Sequence, residues 1–512
     1  MLRVVKTENG LVEGLPAADP RITSFKGIPF AAPPVGENRW RAPMPCKDWD
    51  GVLKAYKFAP ISMQDTPGIG DNIYIREWHV DPDVPMNEDC LYLNIWTNAK
   101  SPDEKLPVVV WYFGGGLQWG YPSEMEFDGE RVARRGVVVV TVNYRIGVFG
   151  FLTHPEITKE APDAPANFGS LDQQAGLRWV HRNIAAFGGD PENITIAGQS
   201  AGGGSVMSQI TCEANFPLIK KAIVQSAMIR DPYTGFGVGI PKHLSEEEKH
   251  GEEFFDFLGV KSLKEARELD AFYIRDRYAV YAENHERFFV VQDDKFCVGD
   301  PMTLFAQNKR AMVPIMAGNT SDEFPNMINV ANDEEFEAKA REIFGDKGDE
   351  FIRICKEKGN MKPGEYGFVN GIECTAKAIS MINKELGNDV DCFYYKFDTD
   401  IPGWDNPGNF HSVELWFFFE TLAKCWRPFK GYHYDMARIM CNYWSNFIKT
   451  GNPNGKDADG TDMPEWLPYT KENPNGVLFG KGGVVSSING EEDEFIAFLA
   501  NHIKERIERN AK

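Results

Sequence analysis

Six short runs of the chain are apolar at nearly every position: 108–113, 137–142, 194–197, 222–224, 313–317 and 392–397. Runs of β-branched and aromatic residues without polar alternation suit strands that are covered by helices on both faces of a sheet. A helical pattern at 171–183 precedes the third run. No fixed-period repeat and no low-complexity tract interrupts the sequence, so solenoid and linker-array organisations are excluded.

The stretch 229–307 has a different pattern. Ser245 with Glu248 and Ser262 with Glu265 have capping-box spacing, and Phe254, Phe257 and Leu258 form an apolar stripe that Gly259 ends. This predicts a mainly helical insertion, with Glu246, Glu247, Glu248, Glu252 and Glu253 on a solvated face. Near the C-terminus, Phe495, Phe498, Leu499, Ile503 and Ile507 recur at helical spacing and predict a docked terminal helix. Strands alternating with helices give an α/β class.

Composition narrows the function. The 512 residues carry a formal net charge of −20, which repels phosphate backbones and anionic headgroups, so no nucleic acid and no membrane is expected as partner. The apolar runs are far shorter than the ~20 residues that span a bilayer, and the N-terminus lacks the apolar core of a signal peptide. Nine cysteines, at 46, 90, 212, 297, 355, 374, 392, 425 and 441, show no metal or redox spacing. Reduced thiols in the cytoplasm are the expectation.

Candidate chemistry centres on Gly198-Gln199-Ser200-Ala201-Gly202, directly after the run 194–197. A serine on a sharp strand-to-helix turn can lift its hydroxyl above the sheet only where the flanking positions are small, and the helix N-terminus adds unpaired N–H groups. After the run 108–113 comes Gly114-Gly115-Gly116, whose bare backbone could aim N–H groups at an oxyanion together with the N–H of Ala201.

These residues reach a family. The stretch 187–202 resembles the serine signature of type-B carboxylesterases, and Glu88-Asp89-Cys90-Leu91-Tyr92-Leu93-Asn94 resembles the second signature. Gly27-Ile28-Pro29-Phe30, Pro33-Pro34-Val35-Gly36, Asn143-Tyr144-Arg145 and Trp426-Arg427-Pro428-Phe429 extend the likeness from near residue 10 to about 470. The pattern is most similar to bacterial para-nitrobenzyl-esterase-like members. The resemblance implies one α/β-hydrolase domain over 1–512, with a large mixed sheet flanked by helices and the insertion within it. It also implies a serine ester hydrolase that needs neither metal nor organic cofactor.

Catalytic residues follow from the same likeness, in the chain order Ser, acid, His. Among the histidines after Ser200, His243 and His250 fall in the charged insertion and His502 in the terminal helix, where exposed polar roles are expected. His411 lies in a polar loop after 392–397 that resembles the family's histidine loop. The family pattern places the acid on Glu323, with Asp322 as its local competitor. Ser200, Glu323 and His411 each follow the carboxyl end of an expected strand, the edge where open α/β sheets assemble sites. Gly115, Gly116 and Ala201 are the expected oxyanion donors.

Departures from the family refine the expectation. Ser62 stands where secreted relatives carry the cysteine that pairs with Cys90, so no disulfide and nine free thiols are expected. The sequons at Asn193 and Asn319 fall on the catalytic edge and read as chance matches. Gln199 replaces a glutamate common before the nucleophile, which favours neutral esters of small to medium size. Most of Phe113, Trp119, Trp416, Phe417, Phe418 and Phe419 should be core, with Trp119 and Trp416, alongside Leu117, Gln118 and Gln199, bordering the substrate. Arg145 with Asp172, and Glu88 with Arg39 or Arg41, resemble scaffold ion pairs. The expected partner is a small-molecule ester, and the expected state a monomer or small homo-oligomer. Feruloyl or acetyl esterase action on plant polysaccharide, lipase and amidase activity, and a non-catalytic adhesion or scaffold role are the alternatives.

Overall fold

The computed structural model describes residues 1–237 and 240–512. Among them, eleven strands form one mixed sheet: β1 (Leu15–Pro16), β2 (Thr23–Pro29), β3 (Tyr92–Thr97), β4 (Leu106–Tyr112), β5 (Val138–Val142), β6 (Gly189–Gln199), β7 (Lys221–Gln225), β8 (Ile315–Thr320), β9 (Cys392–Phe397), β10 (Gly476–Phe479) and β11 (Val485–Ile488). Their spatial order is β11-β10-β9-β8-β7-β6-β4-β5-β3-β2-β1. The stretch from β10 to β5 is parallel, and antiparallel strands extend it at both ends. This is the α/β-hydrolase fold.

The six apolar runs are six of the parallel strands, and their lack of alternation has a structural cause. Val108, Val110 and Tyr112 of β4 enter one hydrophobic core, whereas Val109 and Trp111 enter a second core on the opposite face. Both faces are dry, so both sets must be apolar. The antiparallel strands were not legible in this way. β3 carries Asn94, whose amide donates to Thr141 and accepts from the Gly27 N–H, and β11 is half-exposed along its length.

Helices cover both faces: α1 (Ile73–Glu77), α2 (Phe168–Asn183), α3 (Ala201–Ile210), α4 (Leu244–Leu258), α5 (Leu263–Glu268), α6 (Ala271–Tyr281), α7 (Pro301–Ala306), α8 (Asp333–Phe344), α9 (Gly348–Lys358), α10 (Gly371–Glu385), α11 (Gly431–Thr450) and α12 (Glu494–Asn510). Helices α4 to α7 lie in the stretch 229–307. Phe254, Phe255 and Leu258 are the buried residues of the α4 stripe, with Phe257 only partly covered, and Gly259 closes it at φ 78°. The α4 cap differs from the expectation: His243, not Ser245, is the cap and accepts the Ser245 N–H, because the helix begins two residues earlier, at Leu244. At α5 the Ser262 hydroxyl accepts from the Glu265 N–H at 3.2 Å, while the Glu265 carboxylate reaches back to the Lys261 N–H.

The scaffold ion pairs resolve cleanly. Arg145 and Asp172 meet at 2.7 Å, and Glu88 pairs with Arg39, while Arg41 takes Glu160. Arg39 also donates to the Leu269 carbonyl, which fastens the insertion to the N-terminal part of the chain. No helix among the described residues is long and apolar enough to cross a membrane. All nine cysteines are unpaired. Asn319 is fully buried and accepts from the Tyr394 hydroxyl, so it offers no room for a glycan.

Candidate active site

Strand register brings the site together. Gly198 of β6 lies level with Tyr112 of β4 and Val224 of β7, Gln225 with Gly318 of β8, and Thr320 with Phe397 of β9. The segments that leave these strands at their carboxyl ends therefore emerge side by side.

Ser200 sits between β6 and α3 at φ 55°, ψ −130°, a backbone state that costs a non-glycine residue about 1–3 kcal/mol. A side chain at Gly202 would strike the Tyr112 carbonyl, and one at Gly198 would strike the backbone of Gly202. The two glycines thus let helix and strand approach closely enough to force the turn. After β4 the backbone reverses through Gly115 and Gly116, at φ 95° and 63°. The Gly115 carbonyl accepts from the N–H groups of Gln118 and Trp119, leaving the N–H groups of Gly115, Gly116 and Ala201 without a hydrogen-bond partner among the described residues. Gln64 holds the far end of this loop by both backbone groups of Gly120, at 2.8 and 3.0 Å.

His411 and Glu323 are in contact: the Nδ1–H of His411 donates to Glu323 Oε2 at 2.5 Å, and Glu323 Oε1 accepts from the Thr320 N–H at 3.0 Å. Asp322 does a different job, accepting from the Asn409 N–H at 2.6 Å and so clamping the histidine loop to the acid loop. Burial works against the Glu323 charge, but the imidazole outweighs it and holds the carboxyl below its usual range. For His411 burial likewise opposes charge, and the Glu323 carboxylate wins, raising the imidazole. Behind the pair lies Glu414, fully buried, pushed up to about 7 by burial and by the Glu323 charge. Its carboxylate accepts from the Ser226 hydroxyl at 3.4 Å.

Ser200, Ala201, Gly114, Gly115, Gly116 and His411 share the wall of one cavity of about 740 Å³. His411 Nε2 faces into it and meets the Gln199 amide nitrogen at 3.3 Å. The Ser200 hydroxyl makes no hydrogen bond among the described residues. Phe324, half-exposed, packs on the imidazole with ring centroids 4.7 Å apart. Among the described residues, no group of three or more His, Cys, Asp or Glu side chains is arranged to hold a metal ion.

Leu117, Trp119 and Gln199 line the cavity, but two residues expected to border it do not. Gln118 turns away, donating to the Phe288 carbonyl and accepting from the Tyr278 hydroxyl, and thereby stitches the glycine loop to the insertion. Trp416 is fully buried behind the wall, where its indole N–H donates to Glu77 and its ring supports Trp78. Nor are His250 and His502 exposed: they stack on Phe288 and pack against Phe344, respectively. Sequence reasoning missed Gln64, Trp78, Glu126, Ser226 and Glu414. Only Glu414, an acid three residues after His411 between Val413 and Leu415, offered a signal.

A family model described as the carboxylesterase family matches residues 2–360 and 364–496. The fumonisin B1 esterase of Sphingopyxis macrogoltabida is 33% identical over 436 residues, covering 81% of this chain and 75% of that protein. The para-nitrobenzyl esterase of Bacillus subtilis is 29% identical over 489 residues, covering 92% and 93%. The cholinesterase of Mus musculus is 29% identical over 511 residues, covering 90% and 81%. Among solved structures, a PNB esterase superposes with a TM-score of 0.75 at 26% identity, covering 98% of this chain and 100% of the other. The Geobacillus stearothermophilus carboxylesterase EST55 at pH 6.2 superposes with a TM-score of 0.72 at 28% identity, covering 100% of both.

Proposed function

Because this chain belongs to the carboxylesterase family and is a serine carboxylesterase, we propose that it hydrolyses small to medium esters through an acyl-enzyme on Ser200. His411 takes the Ser200 proton through Nε2 as the hydroxyl attacks the ester carbonyl, and returns it to the leaving alcohol. Glu323 fixes the imidazole tautomer and stabilises the imidazolium. The N–H groups of Gly115, Gly116 and Ala201 receive the oxyanion. Water then repeats the sequence on the acyl-enzyme and releases the acid. The observation that carries this reading is the 2.5 Å His411–Glu323 hydrogen bond within a cavity wall that also holds Ser200 and three unpartnered N–H groups. For proton transfer the Ser200 side chain must rotate to His411 Nε2 and displace the Gln199 amide; catalytic contacts commonly tighten in this way only when substrate is bound.

Gln199 puts an uncharged amide beside the nucleophile, which suits neutral groups around the scissile bond. The nine unpaired thiols support work in a reducing compartment, the cytoplasm. The test is turnover of p-nitrophenyl acyl esters of graded chain length, with methyl ferulate and acetylated xylan in the same panel. Ser200→Ala is expected to lower p-nitrophenyl butyrate hydrolysis by about a thousandfold or more; retained turnover rejects the assignment.

A further inference from the structure

We infer that Gln64 is a positioning residue for the reaction: by gripping both backbone groups of Gly120 it fixes the peptide against which Gly115 rests, and so aims the Gly115 N–H at the oxyanion. The inference rests on the esterase reading and adds a residue that makes no hydrogen bond to Ser200, His411 or Glu323.

The glycine loop has to present bare N–H groups and still keep its shape, so its anchors must attach elsewhere along it. The Tyr144 hydroxyl donates to the Phe113 carbonyl at 2.6 Å where the loop begins, and the Gly147 N–H donates to the Leu117 carbonyl at 2.7 Å in its middle. Its far end closes on Gly120, at φ 99°. There Gln64 Oε1 accepts from the Gly120 N–H at 2.8 Å, and the Gln64 amide nitrogen donates to the Gly120 carbonyl at 3.0 Å. Among the described residues no other group bonds to either.

The link to the oxyanion runs through one peptide unit. A Cβ on Gly115 would lie 2.2 Å from the Trp119 carbonyl oxygen, so the Gly115 backbone abuts the Trp119–Gly120 peptide directly. The N–H of that same peptide is the one Gln64 accepts from. A Cβ on Gly120 would stand 2.8 Å from the Gly114 carbonyl oxygen, so this residue too is in close contact with the unit. Movement at Gly120 therefore passes to Gly114 and Gly115 by contact.

Gln64 is itself held in place. It is 5% exposed, and its amide nitrogen also donates to the Ser62 carbonyl at 3.1 Å. The neighbouring Ile61 donates its N–H to the Pro85 carbonyl at 2.7 Å and accepts from the Asn87 N–H at 3.0 Å. The side chain has to bring a donor and an acceptor together at one reach: glutamate lacks the donor, lysine lacks the acceptor, and asparagine is one carbon shorter.

The test compares kcat/KM for p-nitrophenyl acetate with that for O-p-nitrophenyl thionoacetate, which carries C=S in place of C=O, in the wild type and in Gln64→Met. Sulfur accepts hydrogen bonds weakly, so the oxo-to-thiono ratio reports on the oxyanion donors and not on how much of the protein is folded. Gln64→Met is expected to lower kcat for the oxo ester by about tenfold with little change in KM, and to lower the ratio by about tenfold. An unaltered ratio overturns the inference even if turnover falls, since looser packing alone slows both esters alike. If Gln64→Met does not fold, Gln64→Glu, which keeps an acceptor for the Gly120 N–H, is measured in its place, with the same fall supporting the inference and an unaltered ratio overturning it. A wild type that turns over neither ester fails the esterase reading itself, and the role of Gln64 falls with it.

Discussion

Asp322 and Glu323, neighbours in the chain, divide the labour between them. Adjacent acids after β8 face opposite ways, one to the Asn409 N–H and the other to the His411 ring. Neighbouring Glu414 makes the charge of this pair measurable. Its negative charge, present above about pH 7, acts with Glu323 to raise His411 against the opposing effect of burial. On the proposed mechanism the neutral imidazole is the base, so kcat/KM should fall as pH drops through a His411 pKa that lies above its ordinary value. Glu414→Gln removes one negative charge, lowers the His411 pKa and should move this acid limb to lower pH, as read from p-nitrophenyl acetate kinetics between about pH 5 and 9. A limb that stays in place or moves upward would show that Glu414 does not act on His411.

At the scale of elements, the junction of β6 with α3 concentrates strain that the rest of the sheet must hold. Ser200 keeps its unusual backbone because its N–H donates to the Gln225 carbonyl at 2.9 Å and its carbonyl accepts from the Gly204 N–H at 2.9 Å. Gly202 is the point of closest approach. Gly202→Ala is expected to cost about 2 kcal/mol of stability, read as a lower urea midpoint, because the new methyl meets the Tyr112 carbonyl and strand and helix must separate. The same separation would displace the Ala201 N–H, so activity should fall more steeply than stability alone explains. An unchanged urea midpoint would contradict the close packing described for this turn.

Across the whole molecule, parallel register delivers serine, acid and histidine to one edge although 210 residues lie between Ser200 and His411 in the chain. No covalent cross-link assists. With every cysteine unpaired, thiol titration of denatured, unreduced protein should return nine free thiols; seven or fewer would reveal a disulfide and argue against the proposed reducing compartment. The acidic surface belongs to this scale too, since a net charge of −20 is spread over many solvated helices while the buried acids are few and individually placed.

What the amino-acid sequence determined by itself was local or periodic. Doubly buried strands announced themselves through unbroken apolar runs, the proposed nucleophile through small residues flanking a serine, and α5 through its serine cap. The antiparallel strands at the sheet ends carried no comparable mark, because their polarity is set by neighbours distant in the chain; helices α8 to α10 did carry one, in the Asn332 cap and the buried Phe336, Ala340 and Phe344 of α8 at helical spacing, but the reading of the sequence passed over it. Likewise Gln118 and Trp416 follow the right motifs, yet the insertion and Glu77 draw them away from the cavity. Propensity and pattern act over a few residues; which side chain meets which partner is decided only when the sheet register closes the distances between them.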